Sequence, residues 1–365
     1  MKIKELTAYL ETLAPLSYQE DYDNSGLIIG SPEAEINSAL ISLDCTEAVV
    51  AEAIRKNCDI IISHHPIIFK GIKKLNGKTY VERVVIKAIQ HNIAIYAIHT
   101  NLDHVLKGVN SKICDKLGVK DYNILAPGGS LLRKLVTFCP NSHADTVRDA
   151  LFIAGAGDIG KYSDCSFNVA GTGTFKPGDG TNAFVGETGR RHSEEETRIE
   201  VMFSAPLEGQ LIFALHEVHP YEEVAYDVYQ LNNSHPQVGA GMIGCLDEAL
   251  DERDFLQLLK DKLNCKVVRY TALRGKKIKR VAVCGGTGGF LLPQAISAGA
   301  DVFVTADYKY HEFFDADEKI VIADVGHYES EQFTVELLHE TITEKFPNFA
   351  LHLTELNTNP INYLI

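Results

Sequence analysis

Asp59-Ile60-Ile61-Ile62-Ser63-His64-His65-Pro66 is the stretch on which the fold turns. Three consecutive isoleucines read as a strand buried on both faces, the pattern of a parallel sheet covered by helices. Pro66 removes a ladder donor and biases the residue before it toward extended backbone, so the strand should end and the chain turn here. Adjacent strand residues point to opposite faces, so both histidines reach one site only if the strand has already stopped. Buried imidazole nitrogens cost desolvation unless something engages them, and neutral imidazole is a common metal ligand. Two structural histidines are the plain alternative.

Working outward, strands alternate with helices. Ile3, Leu6, Leu10 and Leu13 share one helical face, and Pro15 ends that helix. A strand over residues 39–43, a helix over 47–56, the isoleucine strand, a helix over 80–91 and a strand over 93–98 follow. The last strand runs into His99-Thr100-Asn101-Leu102-Asp103-His104. Composition shifts after Ala126-Pro127-Gly128-Gly129. Residues 131–236 then read strand, helix, strand, strand, helix, strand, with a long loop expected across 171–196, as in a ferredoxin-like split β-α-β insert. From about 237 the α/β alternation resumes, through a strand entering Gly285-Gly286-Thr287-Gly288-Gly289, a strand over 302–305, and one over 319–323 leading into Asp324-Val325-Gly326-His327 and a long helix. Asn57-Cys58-Asp59-Ile60-Ile61-Ile62-Ser63 resembles Gly299-Ala300-Asp301-Val302-Phe303-Val304-Thr305, which reads as tandem duplication. The expected fold class is therefore a duplicated α/β core with mixed sheets covered by helices, in halves 1–128 and 237–365, interrupted by an α+β insert at 129–236.

The 365 residues carry 35 basic and 49 acidic side chains, a formal net charge of −14. That balance argues against a broad nucleic-acid or anionic-membrane footprint. The start, Met1-Lys2-Ile3-Lys4-Glu5-Leu6, lacks an apolar signal core, and no apolar run is long enough to span a bilayer, so a cytoplasmic protein is expected. None of the eight cysteines forms a Cys-x-x-Cys pair, and they read as reduced thiols.

Three segments at the carboxyl ends of strands carry the chemistry, where open α/β sheets put ligand sites. The first is His64-His65. The second is His99 to Asp103: Asp103 is a candidate anionic ligand or a helix cap, and His99 a ligand, a partner of a ligand or a general base; His104 reads as surface. The third is His327-Tyr328-Glu329-Ser330-Glu331, whose 327 and 331 positions share a helical face, with Glu329 expected in solvent. Jointly they approach the ligand supply of a dinuclear site with one bridging carboxylate. Two further motifs invite other readings. The glycines at 285–289 can cradle a phosphate or simply make a tight turn; they lack the Walker lysine. His219-Pro220-Tyr221-Glu222-Glu223 offers ligand types but reads first as a structural turn and subunit contact.

With Asp23-Asn24-Ser25-Gly26-Leu27 and Thr305-Ala306-Asp307-Tyr308-Lys309-Tyr310-His311 in support, these segments resemble the Nif-three-like dinuclear metal-centre family, whose members are often named GTP cyclohydrolase type 2 homologues. The resemblance covers essentially the whole chain, and the insert is similar to a PII/CutA-like domain. It implies five metal ligands, His64, His65, Asp103, His327 and Glu331, holding two divalent ions (Zn, Fe or Mn), and a toroidal homohexamer. Gly239-Ala240-Gly241-Met242-Ile243-Gly244 lacks the family's arginine, and Ala306 replaces its usual glycine. The expected activity is metal-dependent hydrolysis of a nucleotide, phosphoester or cyclic amidine, with His65 and Asp103 on one metal, His64 and His327 on the other, Glu331 bridging, His99 or His311 moving protons and Asp307 orienting them. The alternative is a non-catalytic metal-binding regulatory or scaffold assembly.

Overall fold

The computed structural model describes residues 1–364. Its strands, in chain order, are β1 (Gly26–Ile29), β2 (Ser38–Ser42), β3 (Ile60–Ser63), β4 (Ala94–Ala97), β5 (Lys120–Pro127), β6 (Leu132–Pro140), β7 (Ser166–Phe175), β8 (His192–Ser204), β9 (Tyr226–Gln230), β10 (Gly239–Asp251), β11 (Arg269–Tyr270), β12 (Lys277–Thr287), β13 (Val302–Ala306), β14 (Val321–Asp324) and β15 (Ala350–Leu353). The chain divides into two units, one of residues 1–127 and 237–365, the other of residues 128–236.

The first unit contains two mixed sheets, ordered β1-β4-β3-β2-β15 and β11-β14-β13-β12-β10-β5. Each has a core of three parallel strands, β2-β3-β4 in one and β12-β13-β14 in the other, with an antiparallel strand beside the third. The isoleucine run behaves as its composition dictates: Ile60, Ile61 and Ile62 are completely buried. Helices Glu47–Arg55 and Tyr80–Gln90 start on threonine caps, Thr46 accepting from the Val49 amide and Thr79 from the Glu82 amide.

The repeat visible in the sequence recurs in backbone detail. Asp59 Oδ2 accepts from the amides of Asn37 and Ser38 (2.7 and 3.2 Å), which lead into β2; Asp301 Oδ2 accepts from Lys279 and Arg280 (2.9 and 2.8 Å) in β12. Further along, Ile98 N donates to Ser63 O, and Val325 N to Thr305 O, both at 2.9 Å. The two halves thus aim equivalent strand ends at one cleft.

The second unit is a four-stranded antiparallel sheet of order β7-β8-β6-β9, with helices Ala144–Ile153 and Glu208–Val218. The expected loop across 171–196 is shorter than read. Strand β7 continues to Phe175 and pairs with β8 from His192, because an edge strand exposed on both faces tolerates glycine and polar residues.

Two other local expectations change. The helix carrying Glu331 is not long: a five-residue turn, His327–Glu331, precedes a separate helix, Thr334–Lys345. The glycine segment is largely strand, since β12 runs to Thr287. No helix among the described residues is long and apolar enough to cross a membrane, and all eight cysteines are free thiols.

Candidate metal centre

Strand β3 ends at Ser63, so His64 and His65 lie beyond the strand with ring centroids 5.0 Å apart, His65 lining the cleft and His64 wholly buried. Each imidazole is oriented by its Nδ1 atom. His64 Nδ1 donates to the Ile98 carbonyl (2.8 Å), and His65 Nδ1 bonds Asp44 Oδ1 (2.8 Å). Asp44 in turn accepts from the Thr358 hydroxyl at 2.5 Å. From the opposite half, His327 Nδ1 bonds Asp307 Oδ2 (2.7 Å), which also accepts from the Thr287 hydroxyl (2.6 Å). His99 Nδ1 bonds Asp23 Oδ1 (2.7 Å). An imidazole fixed through one nitrogen presents the other, a recurring arrangement for metal-binding histidines.

Glu331 sits at the convergence, almost wholly buried. Its Oε2 lies 3.0 Å from both His65 Nε2 and His327 Nε2, and its Oε1 lies 3.9 Å from His64 Nε2. Asp103 Oδ1 is 3.6 Å from the same His64 nitrogen. Three sets of donor atoms each fall within 4.8 Å of one another: His65, His327 and Glu331; His64, Asp103 and Glu331; and His64, His65 and His99. Glu331 belongs to two of them. These sets group His65 with His327 and His64 with Asp103, whereas the expected split put His65 with Asp103 and His64 with His327.

The glycines of β12 make this approach possible. Gly286 has φ +60°, and a Cβ there would stand 2.4 Å from Glu331 Oε1. The amides are already used: Gly285 N donates to Asn110 Oδ1 and Gly286 N to Ser330 Oγ, both at 2.9 Å. Close packing on the Glu331 carboxylate accounts for Gly286, whereas at Gly285 a Cβ would stand 3.1 Å from Val109 Cγ1.

Electrostatics fit the same picture. Burial pushes the His64 imidazole down to about 3, leaving it neutral. Burial also opposes charge on His65 and His327, but Asp44 and Glu331 hold His65 at about 9, and Glu331 and Asp307 hold His327 at about 11. Burial opposes ionisation of Glu331 too; the surrounding His327, His65 and His64 nevertheless keep it ionised, well below the usual glutamate value. Asp103 goes the other way, raised well above its ordinary value by burial and by the Glu331 charge. Asp23, although burial opposes its charge, is held low by His99 and Thr100.

Whether these residues suit a metal can be tested on two atoms. His64 Nε2 and Asp103 Oδ1 are buried without a hydrogen-bond partner among the described residues. Buried polar atoms are nearly always satisfied, so an unmet imidazole lone pair facing an unmet carboxyl oxygen asks for a cation. The cleft, about 860 Å³, has no lysine or arginine among its lining residues. A mixed His/carboxylate set suits Zn, Fe or Mn.

Not every candidate joins the cluster. His311 is exposed and packs its ring against Tyr310 and Phe314. Asp307 serves His327 as an orienting partner. His104, read as surface, lines the cleft with Nδ1 on the Tyr18 carbonyl (2.8 Å). Glu329, expected in solvent, is buried and accepts from Asn359 Nδ2 (3.1 Å), because the C-terminal segment passes beside it. The reading of residues missed Asp44 and Asn110. Asp44 follows a buried strand as His64 does, and that placement was the available signal; Asn110, bridging Asp103 O and Gly285 N, left none.

The family model Duf34/NIF3 (NGG1p interacting factor 3) matches residues 1–360. A protein named GTP cyclohydrolase 1 type 2 homolog from Halalkalibacterium halodurans is 39% identical over 359 residues, covering 97% of this chain and 96% of that one. Its namesake from Bacillus subtilis is 36% identical over 371 residues, covering 99% and 98%. Among solved structures, a Bacillus cereus protein related to NIF3 superposes with a TM-score of 0.86 at 38% identity, covering 100% of this chain and 99% of that one. Staphylococcus aureus protein SA1388 gives 0.78 at 32% identity, again covering 100% and 99%. By its sequence over nearly its whole length, and by its fold, this chain belongs to the DUF34/NIF3 family.

Proposed function

We propose that the cleft holds two divalent cations, Zn, Fe or Mn, on His64, His65, Asp103, His327 and Glu331, and that the protein is a metal-dependent hydrolase. The observation that carries this reading is the unmet pair, His64 Nε2 and Asp103 Oδ1, beside a carboxylate whose two oxygens face different imidazoles. Bound there, a cation pair would acidify water enough to supply hydroxide near neutral pH and would offset negative charge developing on the substrate.

The chain's own groups then have distinct tasks. Asp44 and Asp307 keep His65 and His327 turned inward through their Nδ1 atoms. His99, edge-on to His64 and His65 with centroids 5.2 and 5.3 Å away, presents Nε2 to the cleft while Asp23 holds its Nδ1. That atom is placed to take a proton from the attacking water and return it to a leaving group. With no lysine or arginine lining the cleft, an anionic substrate group would meet the cations and the Thr46, Thr287 and His104 side chains. The names of the relatives suggest a nucleotide ring as one substrate class; phosphoesters and other cyclic amidines suit the same chemistry. A toroidal homohexamer in the cytoplasm completes the proposal, its size open to light scattering.

The test is protein prepared in chelator-treated buffer, reloaded with each metal and screened against nucleotides, phosphoesters and cyclic amidines. Turnover that follows metal content and disappears in His65→Ala at unchanged oligomer size supports the reading. Failure to take up any of the three metals overturns the site. Full uptake with no turnover across the panel favours the scaffold instead.

A further inference from the structure

We propose that the unit of residues 128–236 carries a ligand pocket of its own, built to take a small organic cation of the alkylammonium type. The cavity measures about 560 Å³, the size of a small-molecule site. Phe138, Phe175, Phe184 and Tyr221 line it together with Glu196 and Glu222. The Tyr221 ring stands 5.8 Å from Phe175 and 6.2 Å from Phe184, centroid to centroid.

The His-Pro-Tyr-Glu-Glu motif builds the corner of this pocket. His219 is buried; its Nε2 donates to the Phe138 carbonyl (3.0 Å) and its Nδ1 accepts from the Tyr221 amide (3.1 Å). Both ring nitrogens are spent on the fold, so His219 is a post that sets Tyr221 and not a metal ligand. Tyr221 OH then donates to Glu196 Oε1 (2.8 Å). Glu196 is only 8% exposed, and its Oε2 lies over Gly173, where a Cβ would come within 2.0 Å of it. A glycine on β7 thus leaves room for a carboxylate on the cavity wall. Both Glu222 oxygens accept from the Asn182 amide (3.1 Å each), tying the connection between β7 and β8 to the same corner.

Charge selects the occupant. Aromatic faces are negative and attract cations. The carboxylates of Glu196, Glu222 and Glu223 line the cavity against one cation, Arg198, which is already paired with Glu200 at 2.9 Å. A bare metal ion fits poorly: no cluster of metal-ligating groups forms here among the described residues. An alkylammonium ion satisfies rings and carboxylate together.

The experiment titrates the full-length chain with choline and, separately, with 3,3-dimethylbutan-1-ol, its neutral carbon isostere, following Tyr and Phe resonances by NMR. Choline should bind at least about tenfold more tightly, the size expected of a desolvated cation–π contact. Glu196→Gln should lower choline affinity by at least about tenfold, with metal uptake by the other unit unchanged. Should that variant unfold the insert, Phe184→Ala, at a half-exposed ring, replaces it with the same expected loss. Equal affinity for the two probes, no choline binding at about 20 mM, or undiminished binding in a folded variant overturns the proposal.

Discussion

Gly286→Ala is the sharpest perturbation of the metal reading. The new methyl would meet Glu331 Oε1 at 2.4 Å, Glu331 Cδ at 3.3 Å and His327 Cε1 at 3.2 Å. Restoring an ordinary separation of about 3.5 Å requires the carboxylate to retreat by about 1 Å. Coordination tolerates departures of only about 0.2 Å. Oε1 is the oxygen that faces His64, whereas Oε2 contacts His65 and His327, so rotation of the carboxylate sacrifices the side shared with His64 and Asp103. The expected result is loss of about one cation of two per chain, seen by elemental analysis and by calorimetric titration. The backbone adds a separate cost: φ at Gly286 is +60°, and a left-handed alanine destabilises by roughly 1–2 kcal/mol. For a unit of this size that lowers Tm by about 2–4 °C per kcal/mol. Gly299→Ala separates the two effects, since φ there is +72° and nothing lies within 4 Å of the added methyl. It should show the thermal shift with full metal content. Two cations bound at undiminished affinity in Gly286→Ala, or equal metal loss in both variants, would refute the reasoning.

Three further outcomes follow from the same geometry. Without metal, His65 and His327 are protonated at neutral pH, and a cation must displace those protons, so apparent affinity should rise with pH by up to about one decade per proton per unit, the slope easing as pH passes about 9, where His65 loses its proton while His327 keeps its own to about 11; metal titrations at pH 6, 7 and 8 check the slope, and a flat profile contradicts the ligand assignment. Asp307→Asn and Asp44→Asn should each weaken metal binding by about 10–100-fold by freeing an imidazole ring, with competition against a chromogenic chelator as the assay. His99→Gln should keep both cations and lose turnover, whereas His311→Ala should change neither, because His311 lies outside the cluster.

Much of this was legible in the chain because the decisive signals are local. An apolar run that stops at a proline announces a strand end, and histidine or carboxylate at three such ends announces a cleft. What was hidden depends on contacts distant in sequence. Asp44 meets Thr358 across 314 residues, and His65 meets Glu331 across 266. No spacing rule reports such meetings. The pairing of His65 with His327 was hidden for the same reason: it is set by how the two halves face each other, not by order along the chain. Glu329 was misjudged because helical periodicity describes a helix against one core, and here the C-terminal segment covers its other side. The glycines at 285–289 read as a phosphate cradle or a tight turn because they follow a strand and precede a helix, while at Gly286 the neighbour requiring space is Glu331.

Duplication explains why the cluster is asymmetric. The matched hydrogen bonds of Ile98 to Ser63 and of Val325 to Thr305 align the strand ends, so His64 and His65 correspond to Ala306 and Asp307. Each half then adds a histidine followed four residues later by an acid, His99 with Asp103 and His327 with Glu331. One half therefore offers His64, His65 and Asp103, and the other His327 and Glu331, with Asp307 turned from the ligand position toward His327. The carboxylate shared by two of the donor sets comes from the half that lacks the strand-end histidines. On the proposed five-ligand assignment neither half supplies both cation sites alone, so cation binding would be coupled to the packing of the two sheets in this unit. A metal-loaded chain should accordingly unfold as one cooperative transition across that unit, at a temperature that rises with free metal concentration. Separate melting of the two sheets at saturating metal would contradict a cluster bridged by Glu331.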